Sequence, residues 1–324
     1  MQQELDKNVS YQKSLVILCI STALFGLGCI LLGYVFLPFA AASYAALLQI
    51  ERKSNKFFSF IIPIVIFAIN LLINGFFSLE ATIYVAIGLI LYFSVNSKKS
   101  KAQTVFNLTL ALSFFILLSF LFVGFDSYGS LSFHGLKVYY GTVYDTFKSL
   151  FISLMSGISQ ADESGALFFL FTRESAENIF HSIILALPSF LVIFAFIITG
   201  ITYKIYDIFC VRALSVSREQ LDTFIPGKFV AYTYVFFAIF SFFSSRGTDA
   251  FALTIANFNT VLMTVFAYFG LRIVFSIIRA MRNTLFAVIV IVLAFALLST
   301  TVITLLSFIG VFFALTSSKL PKEN

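Results

Sequence analysis

The sequence predicts an all-α protein, a polytopic membrane helical bundle of about ten transmembrane helices with three short hairpins and one external amphipathic helix. The composition is 60% hydrophobic and 11% charged, whereas soluble domains carry about a quarter charged residues. The mean hydropathy is +1.00. Apolar runs follow one another to the end of the chain, and short clusters of Lys and Arg separate them. No soluble domain is expected.

The central apolar run sets the orientation of the predicted helices. Ser182 to Gly200 is almost wholly apolar and close to the roughly 20 residues that a helix needs to cross a bilayer. It is followed by a loop with Lys204, Arg212, Arg218 and Lys228. Because Lys and Arg next to a span remain in the cytoplasm, this loop faces inward. Strict alternation of crossings then places both termini in the cytoplasm.

Three apolar runs are too long for one crossing and are predicted as hairpins. They are 15–50 with a turn near Gly33 and Pro38, 57–95 with a turn between Gly75 and Glu80, and 285–316 with a turn near Ser299. Single spans are predicted for Thr104–Phe125, Phe229–Phe243 and Ala250–Leu271. The predicted organisation is therefore an N-terminal half with five spans (1–125), an external segment (126–180) and a C-terminal half with five spans (181–324).

The external segment contains a predicted amphipathic helix over Val138 to Ser159. Its apolar positions recur at intervals of three and four: Tyr140, Tyr144, Phe147, Phe151, Leu154 and Met155. Asp145 and Lys148 lie elsewhere on the helical wheel. Such a helix, with tyrosines on its apolar face, is typical of the bilayer interface.

Several classes of function are disfavoured. The net charge of +6 comes from short clusters between apolar spans, so no nucleic acid partner is expected. The cysteines show no metal-ligand spacing, and neither His134 nor His181 has a nearby acid at helical spacing that would orient it against a serine or cysteine. No nucleotide or zinc motif occurs. The chain is therefore expected not to be an enzyme and to use no cofactor; a lipid-acting enzyme is the weakest alternative considered.

Asparagines within the predicted spans are the candidate substrate-binding residues, because a side-chain amide in hydrocarbon needs a hydrogen-bond partner. Asn70 and Asn74 are four residues apart and share one helix face. Asn257 and Asn259 lie near the predicted midplane, but two residues apart they cannot share a face. For each pair, the competing interpretation is a hydrogen bond between helices without any ligand.

The central stretch resembles a known family. Its features are Pro188 inside the helix, Tyr203 at its exit, Arg212 in the loop and Phe224-Ile225-Pro226 before the next helix; Asn257, Gly270, Gly310 and Pro38 add to them. With these residues the chain resembles the YybS-like family of bacterial membrane proteins of unknown function. Phe313 stands where that family often has an acidic residue. The resemblance implies a location in the bacterial inner membrane.

That family is distantly similar to the substrate-binding subunits of energy-coupling-factor vitamin transporters, which dock on a shared module through small-xxx-small helices. Ala42 and Ala46 form such a pattern and are candidate partner-docking residues together with Arg212. The alternative for the alanines is tight packing inside this protein.

The leading hypothesis is a transporter-like subunit in the lipid bilayer that binds a small neutral or weakly polar molecule from the outer side. The alternative is a scaffold without transport activity, which recruits membrane or cytoplasmic partner proteins through its basic inner loops.

Overall fold

The computed structural model describes residues 2–52, 58–74, 80–97, 99–128, 132–161, 173–214, 226–244, 250–280, 289 and 299–316. Ten α-helices cover almost all of them: α1 (Gln2–Leu32), α2 (Leu37–Glu51), α3 (Phe58–Asn74), α4 (Glu80–Asn96), α5 (Lys101–Tyr128), α6 (Phe133–Ala161), α7 (Arg173–Leu214), α8 (Lys228–Ser244), α9 (Ala250–Ala280) and α10 (Ser299–Thr316). None of the described residues lies in a strand. The predicted all-α class is confirmed for these ranges.

Four of the described helices are long and apolar enough to cross a membrane. The candidate spans are Tyr11–Val35, Lys101–Phe125, Glu174–Cys210 and Phe251–Ser276. Helices α3, α4, α8 and α10 are apolar but only 17 or 18 residues long. At 1.5 Å per residue they rise about 25–27 Å, slightly less than the roughly 30 Å of hydrocarbon. The chain thus has the helices of a membrane protein, while the number of ten crossings stays a prediction.

The predicted turn of the first hairpin is confirmed at Gly33 and Pro38. Helix α1 ends at Leu32, a 3-10 turn covers Gly33–Val35, and Pro38 lies in the first turn of α2. Gly33 has a φ of 53°, a conformation that glycine adopts without steric cost. The second leg differs from a lipid-facing span, because nearly every residue of the 15-residue α2 is buried.

Contacts divide the chain into two units. The first contains residues 1–112 and 192–324, and the second contains residues 113–191. Helices α5 and α7 each contribute residues to both units. The predicted domain boundaries at 125/126 and 180/181 stay a prediction.

In the first unit, α1 to α4 pack on one another, and we call them the N-terminal bundle. Three hydrogen bonds join one end of it. The Tyr11 hydroxyl donates to the Ile50 carbonyl at 2.6 Å, the Arg52 guanidinium donates to Asn96 Oδ1 at 2.9 Å, and the Ser59 amide donates to Glu51 Oε1 at 2.9 Å. Glu51 is only 6% exposed, so its carboxylate folds back onto the N-terminus of α3, where the helix dipole favours a negative charge.

Helices α8, α9 and α10 also pack together in the first unit. Helices α9 and α10 touch through their backbones at Gly270 and Gly310: a Cβ at Gly270 would overlap the carbonyl oxygen of Leu306, and one at Gly310 would overlap the carbonyl oxygen of Phe266. Small residues permit this approach between apolar helices. Helix α8 joins them through Tyr234, whose hydroxyl lies 2.9 Å from the Ser307 hydroxyl.

Helix α7 is much longer than predicted. It has 42 residues and continues through Pro188, so the expected loop after Gly200 is wrong over its first part. Arg212 belongs to the helix. Within the first unit, α7 is joined to α5 by a buried hydrogen bond of 2.9 Å between the hydroxyls of Thr109 and Thr199. The backbone hydrogen bonds of a helix do not depend on the polarity of its side chains. Helix α7 therefore continues into a polar stretch that composition alone had assigned to a loop.

The second unit contains the amphipathic helix α6. Some of its apolar residues pack against other helices, and others are exposed. The rings of Tyr144 and Phe151 contact Phe180 of α7, with centroid distances of 5.4 and 5.6 Å. The Tyr140 hydroxyl donates to the Phe120 carbonyl of α5; burial, and secondarily Tyr139, raises the pKa of Tyr140 above its ordinary value. By contrast, Phe147 and Leu154 are 62% and 67% exposed. The residues predicted to form one apolar face therefore fall into two groups, one packed against α5 and α7 and one exposed.

Candidate functional site

The interior of the N-terminal bundle is built around two tyrosines, Tyr44 of α2 and Tyr84 of α4. They are 3% and 0% exposed, and their rings meet edge to face with centroids 6.0 Å apart. The two helices approach closely because position 88 is a glycine: a Cβ there would lie 2.7 Å from Cδ1 of Tyr44 and 2.9 Å from the Ala41 carbonyl oxygen. The glycine thereby allows α2 to occupy the centre of the bundle.

Asn70 points into the same bundle from α3. Ile66 lies one helical turn earlier, and its Cδ1 fills the space beside Gly26 of α1. Because residues four apart share a helix face, Asn70 also faces inward, and it is 0% exposed. Its amide is thus enclosed by protein in a mainly apolar helix.

Sequence reasoning missed two further polar residues in this interior. Thr22 of α1 and Tyr84 are both 0% exposed, and the Tyr84 hydroxyl lies 3.4 Å from the position that a Cβ on Gly26 would take. Cys29, which lies on α1 like Thr22, is 1% exposed. A tyrosine and a threonine inside apolar runs were the available signals, but either could equally have faced a headgroup region.

The remaining predicted asparagines have different surroundings. The side chain of Asn74 lies outside the described part of the chain. The Asn257 amide donates to the Leu253 carbonyl of its own helix at 3.0 Å. Asn259 Oδ1 is buried without a hydrogen-bond partner among the described residues. These different surroundings agree with the expectation that Asn257 and Asn259 do not share a helix face. A substrate-binding role stays a prediction for all four asparagines.

The predicted docking residues are not equally accessible. Ala42 and Ala46 are 0% and 1% exposed because α2 packs against α1, α3 and α4. This burial is the packing inside the protein that was the alternative interpretation, and it leaves these alanines no free surface. The side chain of Arg212 lies outside the described part of the chain.

The chemical capacity of the bundle interior follows from its side chains. Thr22, Tyr84 and Asn70 supply hydroxyl and amide groups, which both donate and accept hydrogen bonds. None of these three carries a full charge at neutral pH. Such a set can orient a small neutral polar molecule, while apolar neighbours exclude water.

Comparison with protein-family models, with curated proteins and with solved structures finds no match to this chain. The resemblance to the YybS-like family therefore stays a prediction from the residues quoted above.

Proposed function

We propose that the protein is an integral protein of the bacterial inner membrane, with both termini in the cytoplasm, and that it acts as a transporter-like subunit for a small neutral or weakly polar molecule taken from the outer side. The observation that carries this proposal is Asn70, a fully buried amide inside a bundle that is otherwise mainly apolar. The resemblance to the YybS-like family, which is distantly similar to membrane-bound substrate-binding subunits, supports the same function.

The argument rests on the cost of burying polar groups. Moving an amide out of water costs about 1–3 kcal/mol unless hydrogen bonds compensate for it, so a leucine would be the simpler residue for a purely structural interior. Asn70, Tyr84 and Thr22 lie on three helices of one bundle and are all 0% exposed. Their chemistry suits a neutral ligand better than an ion, because none of the three side chains is charged.

A thermal-shift screen of the purified protein against uncharged vitamins tests this proposal. We expect at least one compound to raise the melting temperature, and Asn70→Leu to weaken its binding at least tenfold, which corresponds to about 1.4 kcal/mol. The control is Thr202→Val: because that buried hydroxyl bonds to the Ile198 carbonyl of its own helix, its loss should change affinity less than about threefold.

The outcomes separate the possibilities. An Asn70→Leu protein that melts like the wild type and binds the compound equally well would remove Asn70 from the site. No response to any compound would contradict the proposed function itself. If the leucine variant does not fold, Asn70→Ser tests the same position, because it replaces the amide by a smaller hydrogen-bonding group.

The scaffold alternative has one observation in its favour, the continuation of α7 to Leu214. This extension carries Lys204, which is exposed, and its helical backbone includes Arg212. Reversing both charges, in Lys204→Glu with Arg212→Glu, should abolish capture of cytoplasmic partners in a pull-down while the ligand response is kept. Unchanged capture by the double variant would rule out recruitment through this helix.

A further inference from the structure

Two hydroxyl groups inside the N-terminal bundle have no hydrogen-bond partner among the residues that the structure describes. They are Oγ1 of Thr22 and the phenol oxygen of Tyr84, and both residues are 0% exposed. A buried hydroxyl without a partner is costly. Two of them in one bundle need an explanation.

Thr22 is unusual because a helical threonine has a partner available in its own helix. Its hydroxyl can donate to the carbonyl four residues earlier, and several threonines of this chain do so, among them Thr109 to Val105 at 2.8 Å and Thr202 to Ile198 at 2.8 Å. Thr22 does not make this bond. Its hydroxyl therefore lacks the partner that its own helix supplies to the other threonines.

The two hydroxyls lie near the same part of α1. The Tyr84 oxygen is 3.4 Å from the position of a Cβ on Gly26, and Thr22 lies one helical turn before Gly26, at a Cβ separation of about 5–6 Å. The absence of a side chain at position 26 makes room for the Ile66 Cδ1 methyl group, and the Tyr84 phenol lies beside the same stretch of α1. Both side chains therefore border the same turn of α1, between Thr22 and Gly26.

We propose that the N-terminal bundle binds a buried water molecule between the Thr22 and Tyr84 hydroxyls, at the interface of α1 and α4. Buried waters typically make about three hydrogen bonds to groups that the protein leaves without partners, and each hydroxyl here can donate and accept. The water replaces the missing partners of both side chains. It is also the group that a polar atom of a bound molecule would displace.

Removal of each hydroxyl distinguishes a hydrated site from a dry one. If a water is bound, Tyr84→Phe and Thr22→Val each remove one of its partners and should lower the melting temperature by about 2–4 °C. If the hydroxyls are simply buried without partners, the same substitutions remove an unfavourable group and should leave the melting temperature unchanged or raise it.

Matched controls exist in the same chain. Tyr234 is 4% exposed and its hydroxyl is bonded to Ser307 at 2.9 Å, and Thr199 is 0% exposed and bonded to Thr109 at 2.9 Å. Tyr234→Phe and Thr199→Val should lower the melting temperature in either case. Opposite signs for Tyr84→Phe and Tyr234→Phe would overturn the proposal.

The double variant Thr22→Val with Tyr84→Phe tests whether one water serves both groups. A shared water makes the two losses less than additive, because the first substitution already weakens its binding. Fully additive losses would contradict a shared site. These measurements need no added ligand, so the water site stands or fails independently of the proposed transport function.

Discussion

Replacing Gly270 by alanine should destabilise the protein by about 2 kcal/mol, because the new methyl group would meet backbone that cannot rotate away. It would overlap the Leu306 carbonyl oxygen and lie 3.2 Å from the Gly310 nitrogen. Helices α9 and α10 would have to separate, and Phe266, which is 0% exposed, would lose contacts. The effect should appear as a fall in the melting temperature of about 4–8 °C, measured by circular dichroism in detergent.

Gly200→Ala is the matched control, since nothing lies within 4 Å of a Cβ at that position in α7. Alanine favours a helix interior over glycine by about 0.5–1 kcal/mol, so this variant should be slightly more stable than the wild type. Gly310→Ala should resemble Gly270→Ala, and the double variant should cost less than the sum because the helices separate only once. Equal stability of Gly270→Ala and Gly200→Ala would show that the two backbones do not meet there.

Replacing Glu51 by alanine should cost about 2–3 kcal/mol, since the Ser59 amide would lose its charged acceptor in a buried position. The carboxylate also interacts favourably with the N-terminus of α3. Glu51→Gln keeps an acceptor oxygen but removes the charge, so its effect should be intermediate. Unfolding temperatures give the order of the variants, and amide hydrogen exchange at Ser59 reports the local bond directly.

A second glutamate provides the contrast. Glu177 is 40% exposed and lies 3.9 Å from the Lys148 ammonium, a surface ion pair that is worth about 0–1 kcal/mol. Glu177→Gln should therefore change stability by less than about 0.5 kcal/mol. If Glu51→Ala proved as mild as Glu177→Gln, the buried bond to Ser59 would not contribute to the stability of the N-terminal bundle.

Helix breaks were predictable where the chain carries residues that force them. Gly33 and Pro38 indicated the turn between α1 and α2, and the structure has a positive φ at Gly33. The predicted turn between Gly75 and Glu80 likewise agrees with the end of α3 at Asn74 and the start of α4 at Glu80. Glycine and proline change the allowed backbone angles locally, so their effect does not depend on distant parts of the chain.

The surroundings of apolar helices were not predictable in the same way. Helix α2 was expected to cross the membrane like its neighbours, yet it is almost wholly buried by protein. Lipid tails are as apolar as leucine, so hydropathy cannot distinguish a helix that faces lipid from one that faces other helices. The alanines of α2 were interpreted either as docking residues or as packing residues, and their burial agrees with packing.

The candidate site shows the same limit. Asn70 and Asn257 are identical residues in similar apolar runs, but only Asn70 is fully buried, whereas the Asn257 amide donates to its own helix. Glu51 stands beside Arg52 and Lys53 in the sequence, yet it is only 6% exposed and accepts a hydrogen bond from the Ser59 amide. In each case the difference depends on a helix that is distant in sequence.

By itself, the sequence determined the helical class, most helix boundaries and the long apolar spans, because composition and backbone preferences act over a few neighbouring residues. Only the tertiary structure decided that α2 lies inside a bundle, that α9 and α10 touch at Gly270 and Gly310, and that Thr22 and Tyr84 lie near the same part of α1. These features depend on which helices meet, and side-chain contacts between segments far apart in the chain leave no periodic signal in either segment alone.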